Sequence, residues 1–136
     1  MARSFQNAHY RLEIMDEPRV VKLVRSTEEF HSVIEMVAVI DDIFHAVEDV
    51  DGATYGLVVD NRAGPVIDDP AFHSAFKLFR ERLDGRFVRV GVLVTHESSV
   101  QQMKELGVPD HVRVYTDEAA AERWAAEGRE TLRPSP

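Results

Sequence analysis

Hydrophobic and polar residues alternate cleanly from His9 to Met15: Tyr10, Leu12 and Ile14 fall on one side, and His9, Arg11, Glu13 and Met15 on the other. A period of two is the mark of a half-buried strand. Asp16-Glu17-Pro18 carries turn chemistry, and Arg19 to Arg25, with Val20, Val21, Leu23 and Val24, predicts a second strand. The chain therefore opens as an antiparallel hairpin. Ser26 stands three residues before Glu29, a capping-box pattern that predicts a helix running to about Glu48. Phe30, Val33, Ile34, Val37, Ile40, Phe44 and Val47 keep helical spacing along it. Met36, Val39 and Ile43 widen that stripe beyond the ~100° apolar face of a surface helix. Two readings follow: a helix buried deeply on its own sheet, or one whose extra stripe (Met36, Val39, Ile43) packs on a second subunit.

Asp49 to Ala53 reads as a turn, and Thr54 to Asp60 as a near-continuous apolar strand. Continuous apolarity predicts a strand covered on both faces, as in parallel sheets. After a loop from Asn61 to Asp69, Asp69 caps a helix with Pro70 at its first position, where the missing N–H costs nothing. Phe72, Ala75, Phe76, Phe79 and Leu83 form its inner face, and Gly85 ends it. Phe87 to Thr95 predicts the strongest strand. Thr95 or His96 opens a short helix stopped by Gly107 and Pro109. His111 to Thr116 alternates, as a strand near a sheet edge does. Asp117 caps a last helix carrying Ala121, Trp124 and Ala125 and ending at Gly128. The expected organisation is one α/β domain over 9–128 with a flexible tail over 129–136. Its core is a single mixed five-stranded sheet, an N-terminal hairpin followed by βα units, with four helices.

Composition narrows the function classes. Within 136 residues, 44% are hydrophobic and 29% charged, which is ordinary for a globular domain. No cysteine is present, which removes disulfides, thiolate metal sites and a cysteine nucleophile. A net charge of −8 disfavours nucleic acid as a partner. No apolar run approaches the ~18 residues of a membrane span, and Met1 to Tyr10 lacks a signal-peptide core. A cytoplasmic protein with no membrane insertion is expected.

Candidate chemistry is sparse. Asp60, Asp68 and Asp69 cluster after a buried strand, where open α/β sheets bind ligands. A phosphoacceptor site at Asp60, with Thr95 on the next strand, would also need a lysine where Thr116-Asp117 stands; capping and turn roles fit the acids better. Asp41 with His45, and Asp69 with His73, are i, i+4 pairs lacking a third ligand at recognisable spacing, so no metal is expected. Thr95-His96-Glu97-Ser98-Ser99 opens a helix but has no glycine to admit a phosphate. No G-x-S-x-G elbow exposes a serine. Lys77, Arg80, Arg82, Arg86 and Arg89 concentrate positive charge locally, either as a solvated face or as a docking patch for an acidic partner. Tyr115 and Trp124 read as core.

Four segments carry a family likeness: Leu57-Val58-Val59-Asp60-Asn61-Arg62, Asp69-Pro70-Ala71-Phe72, Val90-Gly91-Val92-Leu93-Val94, and Val112-Arg113-Val114-Tyr115 leading to Ala119…Trp124. With the element order over 9–127, they resemble STAS-like domains of the SpoIIAA type, which are bacterial. The resemblance implies a non-enzymatic, regulatory protein-interaction module without a cofactor. Anti-sigma-factor antagonists are the best-known members, and there a serine at the start of the helix after the central strand is phosphorylated. The matching stretch, 61–70, holds no serine or threonine. The expected partner surface is the 61–69 loop with the following helix: Asn61, Arg62, Asp68, Asp69, His73 and Lys77. A protein partner and a homodimer are expected. The alternative is a small-ligand or lipid-binding domain with an internal apolar pocket.

Overall fold

A computed structural model describes residues 3–65 and 69–131. The predicted hairpin is present, with β2 (Tyr10–Asp16) antiparallel to β3 (Arg19–Arg25). Outside it lies a strand absent from the sequence reading, β1 (Arg3–Gln6), pairing Phe5 with Leu12. The sheet thus has six strands rather than five. β1 is four residues long and mostly exposed, so it leaves no alternation to read. Beyond β3 every strand is parallel: β4 (Gly56–Asp60), β5 (Val90–Leu93) and β6 (Val112–Tyr115), the last at the edge as expected.

Spatial order follows chain order from β1 to β6. Right-handed crossovers that always step the same way put their helices on the same face. α1 (Val33–Ala46), α2 (Pro70–Asp84) and α3 (Glu97–Leu106) accordingly share the main core, with Leu12, Val21, Leu23, Leu57, Val59 and Val92 beneath them. α4 (Glu118–Thr131), after the last strand, covers the opposite face over Val20, Val58 and Leu93. It continues past Gly128, the expected stop, and the remainder of the expected tail, 132–136, lies outside the described residues.

The second face is thin because its residues are small. A Cβ on Gly56 would sit 2.1 Å from the Ala125 carbonyl oxygen, and one on Gly91 3.1 Å from that of Ala121. These glycines let the α4 backbone lie almost directly on the sheet.

α1 starts later than predicted. Its N-cap is Ser32, whose hydroxyl accepts from the Glu35 N–H, while the Glu35 carboxylate accepts from the His31 N–H. Ser26 instead donates to the Ala8 carbonyl oxygen at 2.6 Å and accepts from the Glu28 N–H. The segment between is held by Arg25, which donates to the Ser26 and Glu28 carbonyls. With Phe30 outside the helix, the inward stripe centres on Met36, Ile40 and Ile43 and no longer on Val33 and Val37. Met36, Ile40, Ile43, Phe44 and Val47 point into the core, with Val39 packed against it. Met36 and Ile43, both fully buried, cannot form an outward dimer stripe. Ile34 and Val37, read as core-facing, are the exposed pair at 83% and 45%.

Candidate functional site

The carboxyl ends of β3 and β4 bring Arg25, Asp60 and Asn61 to one edge of the sheet, and alternation along each strand sorts their side chains by face. Asp60 shares the α4 side with Val58, and Arg25 shares the α1/α2 side with Val21 and Leu23.

On the α4 side the polar groups are mutually satisfied. Arg62 grips Asp60 in a two-pronged pair, Nε to Oδ1 at 2.9 Å and Nη2 to Oδ2 at 2.7 Å, and Nη2 also reaches Glu118 at 3.1 Å. Lys22, on β3, donates to Glu118 at 2.7 Å and pairs with Glu122 at 3.2 Å. The Arg62 hydrogen bonds hold the Asp60 carboxyl below its ordinary range against the opposing effect of burial. Burial draws the Lys22 ammonium down, but Glu118 and Glu122 outweigh it and leave it raised. The candidate phosphoacceptor is therefore a buried carboxylate committed to an arginine, and Thr116, where a lysine would be needed, donates to Glu97 instead.

On the α2 side the same edge is open. A recess of about 260 Å³ lies beneath the 61–65 turn, walled by Val59, Phe76, Phe79 and Leu83, with Tyr10, Arg25 and Arg80 facing it. Arg25 is 4% exposed. Its Nη1 donates to the His9 and Ser26 carbonyls and its Nη2 to Glu28, while the guanidinium lies 4.6 Å from the Phe30 ring centre and 5.4 Å from that of Tyr10. His9 stacks on Phe30 at 4.4 Å, completing an aromatic layer. Burial pushes the Tyr10 hydroxyl up to about 12. Gly64 roofs this layer; a Cβ there would meet the Arg25 stem at 2.8 Å.

The expected partner residues divide between these sides. Asn61 lines the recess, as does His73. Asp69 is the N-cap of α2, accepting from the Ala71 N–H at 2.9 Å. Arg62 turns to the α4 side, Lys77 is exposed on α2, and Asp68 lies outside the described residues. The basic concentration is mostly structural: Arg86 donates to the Val47 and Val50 carbonyls, Arg82 stacks on Phe44, and Arg89 donates to the Trp124 carbonyl. Trp124 is buried beside Tyr115, as expected of core. Sequence reasoning missed Arg25 and Arg80 as recess residues. Arg25 closes a strand at an inward position, and that was the available signal.

An antiparallel start, parallel strands in chain order, three crossover helices on one face and a closing helix on the other make this a SpoIIAA-like α/β fold. A crystal structure of an uncharacterized protein from the DUF3478 family with a SpoIIAA-like fold, from Shewanella loihica PV-4, superimposes with a TM-score of 0.62 over 89% of this chain and 98% of that one. Identity is 13%, so the likeness is one of fold. No protein-family model matches the sequence, and no curated protein matches it. Among the described residues no helix is long and apolar enough to cross a membrane.

Proposed function

We propose that this chain is a non-enzymatic, regulatory interaction module of the cytoplasm, which meets a protein partner through α2, the adjoining 61–69 loop and the start of α1. One observation carries the reading. The large hydrophobic side chains left exposed among the described residues are Ile34, Val37 and Leu78 (the last at 69%), and all three lie on α1 and α2, which pack against each other. Exposed apolar side chains on two adjoining helices that also expose the charged Lys77, Glu81 and Asp41 are what partner surfaces are made of. The variant Ile34→Glu with Leu78→Glu should keep its melting temperature, because neither side chain is in the core, and lose a protein that the wild type retains in quantitative affinity capture. Light scattering distinguishes a second copy of this chain from a different protein. An unchanged set of captured proteins, with an unchanged mass, would contradict the proposal.

A second reading, ligand binding, is favoured by the recess alone. Its volume, about 260 Å³, falls just below the ~300–1,000 Å³ of drug-sized ligand sites, which fits only a compact ligand.

A further inference from the structure

We infer that the recess beneath the 61–65 turn is a site for a compact organic anion, a carboxylate on a single ring or short apolar body. This rests on the second reading above, that the recess holds a ligand, and is independent of the partner surface on α1 and α2.

The chain carries −8 overall, yet among the described residues two guanidiniums and no carboxylate line this recess. Arg25 is buried and spends its hydrogen bonds on neutral carbonyls, with Glu28 acting on it only through space. Arg80 comes from the other wall. Its Nε is buried without a hydrogen-bond partner, and the nearest carboxylate, Asp84, stands 4.0 Å away, beyond hydrogen-bond length. A buried arginine donor left unmade is costly, and a carboxylate in the recess would satisfy it by a charge-assisted bond. Phe76, Phe79, Leu83 and Val59 make an apolar wall, and Asn61 and His73 are the further polar side chains at the recess. The wall suits an apolar body, while the volume excludes a large one. The Tyr10 hydroxyl stays protonated and can donate to the same anion.

Phenylacetate, its neutral analogue phenylacetamide, and inorganic phosphate are the probes, titrated into the full chain by calorimetry and ligand-observed NMR. Phenylacetate should bind with a dissociation constant on the order of 0.1–1 mM, the range open to a ligand of this size. Phenylacetamide and phosphate should each bind about tenfold more weakly or worse, since one lacks the charge and the other the apolar body. Arg80→Met should reduce phenylacetate affinity by about tenfold while leaving the protein folded, because it breaks no hydrogen bond of Nε and only a long ion pair with Asp84 at 4.0 Å. Arg25→Met tests the other cation. If that variant fails to fold, Arg80→Met and the two analogues still decide the matter. Equal binding of phenylacetate and phenylacetamide would overturn the anion inference while leaving a ligand pocket. Binding by none of the three probes would overturn both. Phosphate binding as tightly as phenylacetate, or unchanged affinity in Arg80→Met, would overturn the site described here.

Discussion

The two faces of this sheet solve the same problem in opposite ways. On the α4 face, small residues let a helix lie directly on the strands, and the charges at the carboxyl edge are closed into an interlocked set, Lys22 and Arg62 with Asp60, Glu118 and Glu122. On the α1/α2 face, large aromatic side chains hold the helices further out, leaving a recess into which two arginines and, among the described residues, no carboxylate face. At the carboxyl ends of the strands on the α4 face, close packing and ion pairing leave no room for a ligand, and the cleft of about 1160 Å³ on that face lies instead at the β2–β3 turn, open and lined largely by charged side chains of the turn and α4. Function is therefore expected on the aromatic side.

The comparison can be broken most forcefully at its tight face. Gly56→Ala should destabilise the protein by about 3 kcal/mol, because the new methyl group meets α4 backbone and not a flexible side chain. Chemical denaturation followed by Trp124 fluorescence measures this, and a loss below about 1 kcal/mol would mean that α4 is not held close. On the other face, Met36→Ala should cost about 2–4 kcal/mol, since Met36 is wholly buried, whereas Leu78→Glu should cost nearly nothing. A folded Met36→Glu variant would restore the outward stripe that the helix phase excludes.

The ionised groups sharpen the contrast through pH. Asp60 is held below its ordinary carboxyl range by Arg62. A lowered folded-state pKa gives stability that is complete above the ordinary range and is lost as pH falls through the folded value. Asp60→Asn should therefore cost about 2 kcal/mol at pH 7, and the difference should shrink on acidification towards pH 3. Asp84, on α2, behaves the other way. Burial raises its pKa against the opposing pull of Arg80 and His111, and its Oδ1 has no hydrogen-bond partner. The folded state then binds the proton more readily than the unfolded one, so ionisation of Asp84 lowers stability as pH rises through its raised value. Asp84→Asn should stabilise by about 0.5 kcal/mol at pH 7 and by nothing once the wild-type carboxyl is protonated. Thermal melts across pH 3–8 check both signs.

Legibility in the sequence tracked how local each determinant is. Strands β2 and β4 declare themselves by alternation and continuous apolarity, and Asp69-Pro70 fixes the start of α2 by cap chemistry that needs no tertiary context. The start of α1 was misplaced because Ser26-x-x-Glu29 and Ser32-x-x-Glu35 are equally good capping boxes in sequence. Contacts with the segment before β2 decide between them, the Ser26 hydroxyl donating to the Ala8 carbonyl and Arg25 to that of His9, a tertiary effect. That slip put Phe30 in the helix and made Met36 and Ile43 look outward-facing. At the carboxyl ends of the strands, Arg62 and Asp60 are the conspicuous residues in sequence, but they lie on a face where each satisfies the other. The recess stayed hidden because its cations come from a strand end and a mid-helix position 55 residues apart, between Arg25 and Arg80.

Site-specific photocrosslinking compares the two faces most directly. A photoreactive side chain would replace Leu78, on the α2 surface, or Arg123, exposed on α4. In the cell that produces the protein, the probe at 78 should yield a discrete crosslinked species, and the probe at 123 should yield none. A discrete product from 123 with none from 78 would contradict the account, placing the working surface on the face read here as closed.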